Sequence, residues 1–170
     1  GDLRFNMARS HAMTAALLGA DLRLAGPASL TLPDDVLEVA RELAAESGGS
    51  VTVTEDASAA VAGAEFVHAD VWVSMGEPAE VWDRRVAELM PYRVDDALMA
   101  AAGADARFMH CLPAYHDDRT AVGAEIMAAT GLSGGIEVTH EVFEANARIV
   151  FDQAENRLHT IKALMVATLA

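Results

Sequence analysis

Three short stretches collect the residues that can do chemistry. The first runs Ala69-Asp70-Val71-Trp72-Val73-Ser74-Met75-Gly76-Glu77, an apolar segment with one carboxylate and then a hydroxyl at a Gly turn. The second is His110-Cys111-Leu112-Pro113-Ala114-Tyr115-His116-Asp117, which packs imidazoles, a thiol and a carboxylate into one loop. The third is Ala154-Glu155-Asn156-Arg157, where a guanidinium falls near the expected first turns of a helix. Backbone N–H groups there also favour anions. Asp2 and Asn6 precede a further helix. The chemistry on offer is a carboxylate at Asp70, a thiol at Cys111 and anion binding at Arg157, and spacing alone gives no reaction. Each group also has a plainer reading. An Asp after a strand is ordinarily a turn former, and a lone Cys is ordinarily a small buried hydrophobe. His110 and Cys111 are neighbours on a strand and point to opposite faces, so His110 is poorly placed to activate the thiol. The six His lack any CxxC or HExxH spacing, so no metal is expected. Gly-x-Gly-x-x-Gly is absent, which removes the usual dinucleotide fingerprint.

These stretches need elements to position them. Leu22 to Ala25, Val51 to Thr54, Phe66 to His68, Arg107 to Cys111 and Ile149 to Phe151 have the β-branched and aromatic content of short strands. Helices are predicted between them. One runs from Met7 to Leu18 and stops at Gly19. Another opens at Pro33-Asp34-Asp35, carries Val36, Ala40, Leu43 and Ala44 on one stripe, and ends at Gly48-Gly49. A third spans Pro78 to Met90, with Trp82, Val86 and Leu89 on its apolar side. The last begins at a D-x-x-E capping box of Asp152 and Glu155. Behind it Leu158, Ile161, Met165 and Leu169 form one face expected to be buried. Residues 112 to 148 are less regular. Alternating strands and helices of these lengths predict an α/β fold: a Rossmann-like parallel sheet with helices on both faces, closed by a long C-terminal helix. Ligands in such sheets bind beyond the carboxyl ends of the strands, where the first two stretches lie.

The whole chain narrows the function classes. Its 170 residues suit one domain. The 12 Lys and Arg against 26 Asp and Glu leave a net charge of −14, which argues against a nucleic-acid binder. A single Cys excludes an intrachain disulfide and points to a reducing, cytoplasmic setting. No apolar run approaches the length of a membrane span.

Read together, Asp70-Val71-Trp72-Val73-Ser74-Met75-Gly76-Glu77, Met109-His110-Cys111-Leu112-Pro113-Ala114, Glu137-Val138-Thr139 and Phe151-Asp152-Gln153-Ala154-Glu155-Asn156-Arg157-Leu158-His159 closely resemble ornithine carbamoyltransferase. Ser74-Met75-Gly76 is similar to that family's ornithine-binding loop. His-Cys-Leu-Pro separates it from aspartate carbamoyltransferase, which carries Pro where this chain has Cys111. The resemblance implies transfer of the carbamoyl group of carbamoyl phosphate to L-ornithine, giving L-citrulline and phosphate without metal or cofactor. It implies that Asn6, Asp70, Ser74 and Met75 hold ornithine and that Cys111, Leu112 and Arg157 meet carbamoyl phosphate. Asp70, Cys111 and Arg157 are the implied catalytic residues, with Cys111 as a thiolate beside the amine. Two departures stand out. Phe5 replaces an Asn common in the family opening, and His140 stands where an Asp is frequent.

The family's Ser-x-Arg-Thr-Arg phosphate-binding segment does not occur in these residues. The chain is therefore expected to be the ornithine-binding half, with its first strand missing, over residues 1–151. Residues 152–170 are expected to form a C-terminal helix that packs on the absent carbamoyl-phosphate domain. The piece alone is expected to be inactive, and its full-length parent a trimer or multiple of trimers. Two other readings stay open: a carbamoyltransferase for a related amine such as putrescine, and a non-catalytic Rossmann-type binding or regulatory module.

Overall fold

The computed structural model describes residues 1–72 and 78–169. In chain order the elements are α1 (Asn6–Leu18), β1 (Asp21–Ala25), α2 (Asp34–Ser47), β2 (Ser50–Thr54), α3 (Ala57–Val61), β3 (Phe66–Ala69), α4 (Trp82–Leu89), α5 (Asp96–Ala102), β4 (Arg107–His110), α6 (Ala121–Thr130) and α7 (His140–Leu169). This is the α/β class expected. The described strands pair as two parallel ribbons, β1 with β2 and β3 with β4.

Local chemistry accounts for most boundaries. α1 ends where Gly19 takes a left-handed conformation (φ 70°) and its N–H reaches Ala15. Gly48 (φ 85°) closes α2 in the same way. A side chain at either position would be strained, which is why Gly stands there. Ala8, Ala12 and Ala16 of α1 are buried with Ala40 and Ala44 of α2, over Leu24 of β1 and Val51 of β2. Small residues on both helices let their backbones approach, and the Ser47 hydroxyl donates across to the Ala16 carbonyl.

A second core joins the other ribbon to the last helix: Val67, Phe108, Val138, Val142, Phe143 and Val150 are all buried together. Here two expectations fail. Ile149 to Phe151 is not a strand, and the last helix starts at His140 rather than Asp152. The Thr139 carbonyl accepts the Phe143 N–H at 3.0 Å, so helical pairing is already established there. The β preference of Ile149-Val150-Phe151 is a matter of about 1 kcal/mol. Full burial of Val142, Phe143 and Val150 on one helical stripe is worth about 1.5–3 kcal/mol for each. Packing wins.

The same stripe completes β4. Its Arg107 N–H points to β3 and bonds the Glu65 carbonyl at 2.9 Å. The N–H groups of Phe108 and His110 therefore point the other way. Asn146 Oδ1 accepts the first at 3.1 Å and Gln153 Oε1 the second at 3.1 Å. Side-chain amides of α7 stand in for a neighbouring strand.

The irregular region holds α6, which sequence periodicity missed; α3 and α5 are short and were missed as well. The C-terminal stripe is also corrected: Leu158, Ile161, Met165 and Leu169 are exposed, Leu169 at 77%. Among the described residues no helix is long and apolar enough to cross a membrane.

Candidate active site

β3 and β4 run parallel with Ala69 opposite His110. One residue further along each strand come Asp70 and Cys111, so register alone sets them side by side at the carboxyl ends. The Cys111 thiol donates to Asp70 Oδ1 at 2.9 Å, and the same oxygen accepts the Val71 N–H at 2.8 Å. Both residues are half-buried. Burial pushes the Cys111 pKa up, and the hydrogen bond and negative charge of Asp70 push it further. Cys111 is thus a thiol, and the expectation of a thiolate is overturned. A thiolate here would face a carboxylate across a hydrogen-bond distance.

His110 faces the other way, as strand alternation requires. Its Nδ1 accepts the Leu112 N–H at 3.0 Å. The ring proton therefore sits on Nε2, which donates to Glu137 Oε1 at 3.1 Å. His110 and Glu137 are both essentially inaccessible, at 1% exposure. This pair is structural in its first effect: it fixes the turn that presents Cys111 and Leu112. Leu112 has φ 44°, a region that a branched side chain occupies at a cost. The hydrogen bond to His110 holds it there.

A second chain of contacts enters from β3. Gln153 Nε2 donates to His68 Nε2 at 3.1 Å, which requires that nitrogen to be unprotonated. Burial, with His11 and His110 close by, lowers the His68 pKa to about 3, in agreement. His11 of α1 sets its ring edge-on to His68, with centroids 4.5 Å apart. Burial lowers its pKa, and the Asp70 charge opposes that shift. α1 therefore borders the Asp70 side of the site. Just behind, Arg85 Nη1 donates to Asp2 Oδ2 at 2.7 Å and to the Trp72 carbonyl at 3.0 Å. That buried pair ties the N-terminal loop to the segment leaving Asp70.

The sequence-derived residues fare unequally. Asp70, Cys111 and Leu112 are brought together. Ser74 and Met75 lie outside the described residues. Asn6 is the first residue of α1, exposed, five residues before His11. Arg157 is not near a helix N-terminus, because α7 begins at His140. It lies one turn beyond Gln153, exposed, with no side-chain hydrogen bond or ion pair to a described residue. Glu137 and Gln153 were missed as site residues. The usable signal for Glu137 was its place in Ile136-Glu137-Val138, an acid between apolar residues in a short buried segment.

What the arrangement can do is bind a cation. An acid with one oxygen engaged by the thiol keeps its second oxygen for an ammonium.

Comparison with known proteins bears on this site. Residues 1–168 match the family model described as aspartate/ornithine carbamoyltransferase, Asp/Orn binding domain. A catabolic ornithine carbamoyltransferase of Rhizobium meliloti (strain 1021) is 52% identical over 170 residues, covering 99% of this chain and 51% of that protein. One from Pseudomonas putida is also 52% identical, over 100% of this chain and 51% of its own length. Among solved structures, the anabolic ornithine carbamoyltransferase of Campylobacter jejuni superposes with a TM-score of 0.79 at 32% identity, over 95% of this chain and 47% of that one. The Pyrococcus furiosus ornithine carbamoyltransferase gives 0.77 at 37% identity, over 93% and 44%. The chain spans about half the length of the curated relatives it matches.

Proposed function

Because the chain belongs to the aspartate/ornithine carbamoyltransferase family, matching its Asp/Orn-binding domain, we propose that it is the amino-acid-binding half of an ornithine carbamoyltransferase. The complete enzyme transfers the carbamoyl group of carbamoyl phosphate to the δ-amine of L-ornithine, giving L-citrulline and phosphate. The observation that carries this reading is the Asp70–Cys111 pair, 2.9 Å apart at the carboxyl ends of two neighbouring parallel strands.

In the reaction, the δ-nitrogen lone pair attacks the carbamoyl carbon, a tetrahedral intermediate forms, and the C–O bond to phosphate breaks. Asp70 attracts the amine while it is still an ammonium. A carboxylate raises the amine's pKa, so Asp70 positions it rather than deprotonating it. The departing phosphate takes the amine proton. The Cys111 thiol engages one Asp70 oxygen and so aims the other at the amine. The His110–Glu137 pair holds Leu112, and through it the carbamoyl-facing turn, in one conformation. Asn6, Ser74 and Met75 are proposed as further ornithine contacts, and Arg157 as the residue that polarises carbamoyl phosphate. Holding both substrates in attack geometry supplies much of the rate. A homo-oligomeric parent and a cytoplasmic setting follow from the family resemblance.

The test is citrulline formation by the complete protein that contains this chain. Asp70→Ala lowers kcat/KM at least about 100-fold while circular dichroism shows an unchanged fold. The 170-residue chain alone makes no citrulline, since the Ser-x-Arg-Thr-Arg segment is not in it. Wild-type kinetics for Asp70→Ala would remove the assignment.

A further inference from the structure

Away from the Asp70–Cys111 pair, a second cluster gathers where the loop after β4 meets the first residue of α7. His116 Nε2 lies 3.6 Å from Asp117 Oδ2, and His140 Nδ1 lies 3.3 Å from the same oxygen. One ligand atom from each of the three residues falls within 4.8 Å of the others. His116 is 7% exposed, its ring stacked on Phe143, and neither of its nitrogens has a hydrogen-bond partner among the described residues. His140 Nδ1 is buried and likewise makes no well-formed hydrogen bond among the described residues, with the Asp117 carboxylate 3.3 Å away. Buried polar atoms left this way are costly, and native folds rarely keep several side by side.

From this geometry we infer that His116, Asp117 and His140 form a binding site for a zinc-class divalent cation, held by two imidazoles and one carboxylate. Four ligands about 2.0–2.1 Å from zinc in a tetrahedron sit about 3.3 Å from each other. The two imidazole-to-carboxylate spacings, 3.6 and 3.3 Å, lie close to that edge, and the two imidazoles, whose rings are parallel with centroids 5.8 Å apart, turn toward each other to share the ion. Two His and one carboxylate suit zinc and similar borderline metals better than calcium or magnesium, which prefer oxygen sets.

The scaffold around the cluster is firm. The Ile136 N–H bonds the His116 carbonyl at 3.0 Å. Gly123 of α6 lies so close that a Cβ there would stand 2.0 Å from the Asp117 carbonyl oxygen.

One residue competes for the space. Arg119 Nη2 stands 3.1 Å from His140 Nε2, and its Nε 3.5 Å from Asp117 Oδ2. A guanidinium only donates, so here His140 Nε2 is the acceptor and Nδ1 carries the ring proton. When a cation takes Nδ1, the proton moves to Nε2 and Arg119 must swing away. Its side chain is exposed and Glu144 already stands 3.5 Å from Nη1, so that movement is easy. Arg119 acts as a gate on affinity. Because the loop carrying His116 continues directly from Cys111 and Leu112, a bound ion would tie that turn to α7.

The experiment is zinc titration by calorimetry on chelator-stripped protein, with cobalt(II) absorption to report the ligand type. Wild type is expected to bind one ion per chain at this site, with a cobalt spectrum lacking thiolate charge transfer. His140→Ala and Asp117→Asn weaken binding at least tenfold, Arg119→Gln tightens it, and Cys111→Ser leaves it unchanged. His140 is partly exposed at the start of a long helix, so its Ala variant folds even if His116→Ala does not. The absence of saturable zinc binding would overturn the inference. So would binding that survives His140→Ala and disappears with Cys111→Ser, which would place the ion on the Asp70–Cys111 pair.

Discussion

The buried His110–Glu137 contact gives a prediction with a calculable size. His110 Nε2 donates to Glu137 Oε1 at 3.1 Å, and neither side chain is more than 1% exposed. Glu137→Ala leaves the imidazole N–H with no acceptor and no route to water. A hydrogen bond to a charged group is worth about 1.5–3 kcal/mol. The void left by the missing side chain adds about 1–2 kcal/mol. Relief of the buried carboxylate offsets part of this, for a net loss of about 2–4 kcal/mol. Glu137→Gln keeps an Oε1 acceptor in place and forfeits only the charge assistance, about 0.5–1.5 kcal/mol. An exposed Glu→Ala change, by contrast, stays within about 0.5 kcal/mol. The assay is equilibrium urea unfolding. With a slope of about 2 kcal/mol per molar, the midpoint should fall by about 1–2 M for the Ala variant and by less than half of that for Gln. A Glu137→Ala midpoint indistinguishable from wild type would refute the reasoning. So would a Gln variant as damaged as the Ala one, since the acceptor would then not be what matters.

Two further outcomes follow from perturbed groups. His68 has a pKa near 3 in the fold against 6.5 for the free side chain, so between those pH values the unfolded chain takes a proton that the folded one refuses. Its contribution is fully present above pH 6.5 and is lost as pH falls toward 3, with a slope of at most about 1.4 kcal/mol per pH unit. His11 and His116, also lowered by burial, act with the same sign. His68→Gln should flatten the urea-midpoint profile over that window, and an unchanged slope would count against it. Cys111, raised by burial and by Asp70, should alkylate with iodoacetamide more slowly at pH 8 than an unhindered thiol. Asp70→Asn should speed it by removing the charge 2.9 Å away; an equal or slower rate would contradict the pairing.

Most of what is local in this fold was legible in the residues. Gly19 and Gly48 end α1 and α2 as expected, because only Gly enters the left-handed cap without strain. The β-branched runs at Leu22, Val51 and Phe66 became strands, and so did Arg107 to His110. Asp70 and Cys111 could be nominated because ligands gather beyond strand ends and because the surrounding motifs resemble a known family. Their contact follows from register, which is a property of two strands and not of either one.

What the sequence determined alone, then, is what nearest neighbours decide: caps, short strands, and which chemical groups sit at element ends. The tertiary structure decided whatever depends on distant partners. It made Ile149 to Phe151 helical, because α7 must bring Asn146, Val150 and Gln153 to the edge of β4 at helical spacing. It turned Cys111 from a presumed thiolate into a thiol, because a carboxylate from another strand lies within hydrogen-bond distance. It placed Glu137 on His110, and His140 on Asp117 across a loop and a helix. Proton position and metal affinity depend on distance and solvent exclusion, and a linear order of residues encodes neither until the chain has folded.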